Sequence, residues 1–475
     1  MDALDSLMAR LPPGAVTVHP GELAEHTHDR WALAMLREVR GERVPPGAAV
    51  VFPGSTEDVA ATLAWAEEYG RTVVPRGGAT GLAGGAQAIK RSIVVDTSRL
   101  DRVLDVDQIS QVVRAQAGVR GAALEAALAP HGLTAGHDLA STETSTVGGW
   151  IAAASMGFAS SGNGGIQDRL LGLTAVLSGG DVLRLKPAPR FGAGPDLRRL
   201  FVGSAGALGI LTEATLTVSR SLAEPLWESF RPHSFEAGAG LVREAIQRGW
   251  RPLIVRLLDE SEAATQFGAF GYPNAPLAVL GFDPAGPAVE AQRFELRALA
   301  REFGAAQAGP DLAKHWWDRR HDAVAWYEGV MGPERTLGEG VVVDSFDAAA
   351  LWRRVPRLYE EVRGSLLEHA EEVGCRLVHA GVTGASMEFP FVLRAGDDAE
   401  AEGLYRQAWG GAVAACLDAG GTMADHHGLG LRSAEFLPEE LGHTGAEVLQ
   451  GIKSALDPSG LMNPGKLIAR GGSDR

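Results

Sequence analysis

The sequence predicts mixed α/β or α+β layers spread over more than one domain, and three observations carry that reading. Short β-like runs alternate with stretches of helical periodicity, the pattern of layered folds. At 475 residues the chain exceeds one ordinary hydrophobic core. Hydrophobic residues make up 45 % and charged residues 22 %, with no apolar run long enough to span a bilayer, which is the balance of a globular protein.

Residues 48–120 are the most legible. Ala48–Phe52 reads as a strand, and Ser55 with Asp58 as a capping box opening a helix that buries Val59, Leu63 and Ala66. Thr72–Val74 and Ser92–Val95 read as strands on either side of a glycine-rich turn. Val103–Val106 and Val112–Ala115 are further strands, and a helix around Gly121–Pro130 closes the unit. Residues 130–220 are rich in Gly, Ser and Thr and poor in long helices, the composition of an irregular binding surface. Beyond about residue 225 helical periodicity returns, at Glu236–Arg248, Ala288–Phe303 and Phe346–Val373. A domain boundary is placed near 222, and the loop-like stretch Leu456–Lys466 is expected to return to the first domain.

The net charge of −15 excludes nonspecific nucleic-acid binding, which needs positive charge. Cys375 and Cys416 have no metal or redox spacing and are expected to be buried thiols in a reducing cytoplasm. Residues 1–10 lack the order of a secretion signal, so a cytoplasmic location is expected.

The strongest local motif is Pro75-Arg-Gly-Gly-Ala-Thr-Gly-Leu-Ala-Gly-Gly85, directly after a strand. Glycines allow positive φ and close approach to a ligand, and consecutive amides can converge on phosphate oxygens. The spacing is not that of a Rossmann fingerprint. Gly460–Lys466 falls short of a P-loop because Leu467 stands where a magnesium-binding hydroxyl is required. Two further segments follow, Gly136–Gly149 with many hydroxyls and Gly203–Thr215 with a glycine turn running into a β-like stretch. Trp316, Trp317, Trp326 and Tyr327 form an aromatic cluster, read as core.

In this order the three segments resemble the flavin-binding half of the vanillyl-alcohol oxidase/para-cresol methylhydroxylase superfamily, and the likeness runs from about residue 45 to 468. Pro75–Gly81 resembles the family's pyrophosphate loop, and Ala205–Leu211 its Glu-Gly-Thr-Leu-Gly-Ile segment, with Ala205 and Ala207 replacing Glu and Thr. The resemblance implies an α+β protein: a two-subdomain, non-Rossmann FAD-binding fold under an α+β cap. The FAD-binding domain would take 1–222 (subdomains about 45–140 and 141–222), the cap or substrate domain 223–450, and a returning segment 451–475. The implied cofactor contacts in the first loop are Pro75, Arg76, Gly77, Gly78, Ala79, Thr80, Gly81 and Leu82. Those in the second are Ala140, Ser141, Thr142, Ser145, Thr146, Gly149, Ala153 and Ser155. Ala205, Gly206, Leu208, Gly209, Ile210 and Asn463 complete the set. No His lies between Pro75 and Gly85, so the FAD is expected to be noncovalent.

Two branches of the family compete. Asp425-His-His-Gly-Leu-Gly430 resembles the three-histidine motif of alkyldihydroxyacetonephosphate synthase, with Asp425 in place of the first His. FAD-linked D-2-hydroxyacid dehydrogenases carry Glu-His-Gly there. A His pair beside a glycine turn moves protons near neutral pH, so the resemblance makes His426 and His427 catalytic. Arg256 matches a flavin-proximal arginine, and in an apolar strand it reads equally as an ion-pair partner. Arg335 resembles an arginine that grips a substrate anion. The synthase's tyrosine position is Gly381 here, and of the dehydrogenases' His-x-Gly-Asp-Gly-Asn only His379 survives; His379 is placed at the substrate. No metal is assigned: His379, His426 and His427 are candidate ligands, but the acidic ligand of the dehydrogenases' His-x-Gly-Asp-Gly-Asn is missing here, where Val382 and Thr383 stand. The expected function is oxidation of a 2-hydroxy acid or related alcohol with transfer of a hydride equivalent to flavin. The alternative is a synthase-like flavin-dependent transferase of ether-lipid synthesis. The expected partners are a small-molecule substrate and an electron acceptor of unspecified kind, and a homodimer is the candidate assembly.

Overall fold

The computed structural model describes residues 3–42, 47–221 and 224–469. Among the described residues its frame is three larger β-sheets and a two-stranded pair, Leu133–Thr134 with Ser219–Arg220, flanked by helices, with no closed barrel. In the first sheet Ala49–Val51, Ile93–Asp96 and Val73–Arg76 run parallel, and Val16–Thr17 adds an antiparallel edge. All three central strands are nearly continuous apolar runs, as parallel strands covered on both faces require. The crossover helix Thr56–Glu68 starts where expected, but the cap differs in detail. Ser55 accepts from Asp58 N, whereas the Asp58 carboxylate accepts from Gly54 N rather than from Ser55 N.

The second sheet is antiparallel, ordered Val103–Asp107, Val112–Gln116, Ile210–Thr217, Leu170–Val176, Val182–Leu185. Residues 130–220 are therefore more regular than their composition suggests; their helices are short, the longest being Val147–Ala152 with six residues.

The third sheet is ordered Ala306–Gln307, Leu226–Arg231, Leu277–Phe282, Ile254–Leu258, Arg376–Ala380, Gly384–Arg394, Val341–Leu351, with Glu372–Val373 on the side of Gly384–Arg394. Helices Phe235–Gln247, Val289–Glu302, Val355–Leu367 and Asp398–Asp418 pack with it. The helix expected over Phe346–Val373 shrinks to Val355–Leu367, and Phe346 to Leu351 instead end an eleven-residue strand. Ladder pairing along the whole length of Gly384–Arg394 overrides the helix propensity of the Ala348–Leu351 run. The boundary expected near 222 lies outside the described residues.

The terminal segment packs under the first glycine loop. Val73 pairs with Met462 in a parallel bridge, and Asn463 N donates to Val73 O at 2.8 Å. Lys466 is fully buried and donates to Gln87 O at 2.7 Å. Both cysteines are buried free thiols. No helix among the described residues is long and apolar enough to cross a membrane.

Candidate active site

The glycine loop, the two downstream segments and one face of the third sheet enclose a cavity of about 850 Å3, toward the upper end of ligand-site volumes of roughly 300–1,000 Å3. Residues Pro75 to Leu82 all line it, as do Ala140, Ser141, Ser145, Thr146, Gly149, Ala153 and Ser155 of the second segment and Ala205, Gly206, Gly209 and Ile210 of the third. The loop is bare for a steric reason. A Cβ on Gly77 would sit 2.4 Å from Thr146 Oγ1, and one on Gly78 would sit 2.0 Å from Thr144 O. Ala79 holds φ +50°, in the left-handed region. Arg76 is anchored by donation to His28 O at 2.8 Å and by Asp96 at 3.5 Å.

Three of the expected cofactor contacts lie outside this wall. Thr142 closes a turn, its hydroxyl accepting from Leu139 N at 2.7 Å. Leu208 is buried in the hydrophobic core. Asn463 ties Gly85 O to Ala205 O through its side-chain amide, at 2.9 and 2.6 Å, and so clamps the first loop to the third segment.

The opposite wall is the third sheet. Asp347 on Val341–Leu351, Glu388 on Gly384–Arg394, Arg376 on Arg376–Ala380 and Arg256 on Ile254–Leu258 all line the cavity, together with His426 and His427. His427 Nδ1 lies 2.7 Å from Asp347 Oδ2. A carboxylate can only accept, so Nδ1 carries the proton and Nε2 is left as the acceptor. Asp347 is also 3.5 Å from the Arg432 guanidinium. Burial by itself would raise the Asp347 carboxyl, but His427, His426 and Arg432 outweigh it and hold the group well below the usual carboxylate range. His426 packs against His427 with the rings tilted by 39° and their centroids 4.0 Å apart, and lies 3.3 Å from Asp425 and 3.6 Å from Glu388. Burial would lower its pKa; Asp347, Asp425 and Glu388 reverse this and raise it to about 9. Glu388 in turn accepts from Arg376 at 2.6 Å, and Arg376 donates also to Glu262 at 2.8 Å.

The raised His426 pKa sets a stability window. The folded value of about 9 exceeds the ordinary 6.5, so its contribution is whole below pH 6.5 and is lost as pH rises through 9. Wild type is expected to lose up to about 3 kcal/mol of unfolding free energy between pH 6.5 and 9.5 from this group. Denaturant titration checks this, and His426→Gln should lack that share of the decline.

Arg256 is 6 % exposed, donates to Val255 O and Val378 O, and lies under Phe158 and Trp316 at 5.4 and 5.2 Å. Burial lowers its pKa to about 10. Among the described residues it has no carboxylate within 4 Å, although Glu388 acts on it from farther off, and it stands as a buried cation facing the cavity. Trp316, Trp326 and Tyr327 also line the cavity, and Trp326 is 53 % exposed. Trp316 and Tyr327 also pack against the hydrophobic core, as does Trp317, which does not line the cavity, so the core reading holds for these three while Trp326 is cavity wall; Tyr327 reaches across to donate to Arg30 O.

Two expected substrate contacts are elsewhere. Arg335 pairs with Asp398 at the start of helix Asp398–Asp418, where Asp398 also accepts from Gly340 N at 2.8 Å. That buried pair spends the guanidinium on holding a helix start. His379 follows a register shift in its strand and lines a separate hollow. Besides Asp425, the fold brings Asp347 to the histidines: its carboxylate oxygen and one ring nitrogen each of His426 and His427 lie within 4.8 Å of one another. Its Oδ2 is engaged by His427 and Arg432, while its Oδ1 is buried without a hydrogen-bond partner.

Asp347, Glu388, Arg376 and Arg432 escaped sequence reasoning. All four are brought in by sheet pairing or by the turn after the His pair, over separations no local motif records.

Comparison with known proteins accords with this geometry. Residues 46–186 match the FAD binding domain family, and residues 228–467 match the family of FAD linked oxidases, C-terminal domain. The chain is 27 % identical to alkyldihydroxyacetonephosphate synthase of Trypanosoma brucei brucei, over 87 % of this chain and 72 % of that protein. It is 29 % identical to the FAD-linked oxidoreductase YgcU of Escherichia coli (strain K12), over 87 % of each. A solved alkyldihydroxyacetonephosphate synthase superposes with a TM-score of 0.79 at 22 % identity, covering 98 % of this chain and 84 % of that one. A solved p-cresol methylhydroxylase superposes at 0.76 with 12 % identity, covering 98 % and 96 %, so the fold is that of the para-cresol methylhydroxylase group. With an FAD-binding half and an oxidase half matched in order, the chain belongs to the FAD-linked oxidases and is an FAD-dependent oxidoreductase.

Proposed function

We propose that the chain oxidises a 2-hydroxy acid or a related alcohol at this cavity. The observation that carries the reading is the His427–Asp347 contact of 2.7 Å on the cavity wall opposite the glycine loop. His427 Nε2 takes the hydroxyl proton, and Asp347 fixes the ring and steadies the imidazolium that forms. His426 is cationic at neutral pH and lends positive charge beside it. Arg256, with no carboxylate at ion-pair distance among the described residues, holds negative charge that collects on the reacting groups or on a substrate carboxylate. The bare loop at Gly77 and Gly78 fits a diphosphate, and Phe158 with Trp316 excludes water around Arg256. FAD, when bound, supplies the acceptor for the hydride equivalent. With no His between Pro75 and Gly85 the cofactor is held noncovalently.

Anaerobic addition of D-lactate, glycolate and longer 2-hydroxy acids should bleach the visible flavin band with at least one of them. Persistence of the band across the panel overturns the reading.

A second reading is favoured by the synthase relative of Trypanosoma brucei brucei: a flavin-dependent transferase acting on an acylated dihydroxyacetone phosphate. Turnover of that ester with a fatty alcohol, without net flavin bleaching, would put it first.

A further inference from the structure

We infer that the proton taken from substrate leaves through the rear wall of the site, along His426, Asp425 and His379, into a second hollow at the end of the third sheet. This rests on reading the His pair as the acceptor of a substrate proton and adds where that proton goes.

The hollow measures about 490 Å3 and is lined by Ala349, His379, Thr383, Ser386 and Thr422, among others. It lies next to the main cavity along the same strands. On Val341–Leu351, Asp347 lines the cavity and Ala349 lines the hollow; on Gly384–Arg394 the same two-residue step leads from Glu388 to Ser386. Residues two apart on a strand share a face and stand roughly 7 Å apart, so a single layer of side chains separates the two spaces. On the third strand Arg376 and Val378 line the cavity while His379, just past a register shift, lines the hollow. Such a shift re-aims a side chain. The loop from Thr422 to His426 crosses the same wall: Thr422 pairs with Ala349 and lines the hollow, His426 lines the cavity, and Asp425 stands between them in the chain.

Across that wall three polar atoms are buried without a hydrogen-bond partner: His426 Nδ1, Asp425 Oδ2 and His379 Nδ1. The first two are 3.3 Å apart, at contact distance but out of alignment. Such atoms occur at other buried positions among the described residues as well; what marks these three is that they stand in series in one wall, between the site and the hollow. Side-chain rotation is enough to join them into a path. The groups acting on His379 are Asp425, Arg256, Asp168 and His426, and burial keeps its pKa below the ordinary value, so it waits neutral and able to accept. His426, already protonated, passes its Nδ1 proton to Asp425 Oδ2, Asp425 passes one to His379 Nδ1, His379 releases one from Nε2 to water in the hollow, and His427 returns the substrate's proton to His426 across the 4.0 Å ring contact. Only N–H and O–H bonds form and break, and each group returns to its starting charge.

The test uses oxidised holoenzyme labelled with [15N]histidine, without substrate. Solvent exchange of the His426 ring N–H is followed by NMR, the signal being assigned by its loss in His426→Gln. His379→Ala should slow that exchange about tenfold or more, and Asp425→Asn should do the same. Imidazole, small enough to enter the hollow, should restore the rate in His379→Ala but not in Asp425→Asn, and Thr383→Trp at the exposed rim should block the rescue. Unchanged exchange in His379→Ala, or slowing that imidazole does not reverse, overturns the inference. His379→Asn gives the same readout should the alanine variant fail to hold FAD. Because no substrate is present, failure of the hydroxy-acid panel and failure of the relay are separate results.

Discussion

Asp347→Asn is expected to slow substrate-dependent flavin bleaching by about 10²- to 10⁴-fold while FAD stays bound. The wild-type carboxylate can only accept, so it pins the proton on His427 Nδ1 and leaves Nε2 free to act as base. An asparagine amide donates as readily as it accepts. With its NH2 turned toward Nδ1 the ring shifts to the other tautomer, Nε2 carries the proton, and the base is lost. FAD binding should survive, because the bare glycine loop lies on the opposite wall. His427→Gln should lose a similar factor, and the double variant little more, since residues acting as a unit are not additive. Arg432 would keep Asp344 at 3.9 Å as a partner, so the variant should fold with reduced stability. Stopped-flow bleaching with a substrate found in the panel measures the rate. A variant that bleaches within tenfold of wild type would remove His427–Asp347 from the proton transfer and return the role to His426.

The two walls of the cavity differ in how far the sequence disclosed them. The wall of Pro75–Leu82, Ser145, Thr146 and Gly206 was legible because its chemistry is contiguous. Bare backbone after a strand shows as glycines side by side, and each segment keeps its own local signal. Among the charged groups of the facing wall, Arg256, Asp347, Arg376 and Glu388 come from four different strands. Asp347 lies in VVVDSFDAAAL, whose apolar density hides the period of two, and its last residues read as the start of a helix. Only the ladder to Gly384–Arg394 sets Asp347 opposite Glu388 in the register. Arg335 and His379 failed for the converse reason. A motif position fixes where the backbone runs but not what a side chain finds there: Arg335 met Asp398, and a register shift turned His379 toward the neighbouring hollow. The histidine pair was legible, but which of the two serves as base was not, because that depends on partners far away in the sequence.

Gly78→Ala is expected to yield a chain that purifies without FAD, with cofactor affinity reduced by at least about 100-fold, roughly 2.7 kcal/mol. The added Cβ would lie 2.0 Å from Thr144 O and 2.9 Å from Thr144 C. Both are backbone atoms, so no side chain can swing aside. The loop must therefore lift off the 144–146 segment, and the surface it shares with Thr146 opens. Gly85→Ala is the matched control, since that glycine also lines the cavity and its added Cβ meets nothing within 4 Å. It should bind FAD as wild type does. Flavin absorbance per chain reports retention, and the melting rise on adding excess FAD reports affinity. A ligand at a thousand times its Kd stabilises by about 4 kcal/mol, so wild type and Gly85→Ala should shift by several degrees and Gly78→Ala should not. Equal retention in the two variants would mean that the loop's contact with Thr144 does not shape the cofactor site. The diphosphate would then have to be sought along Ala205–Ile210, where Asn463 ties the third segment to Gly85.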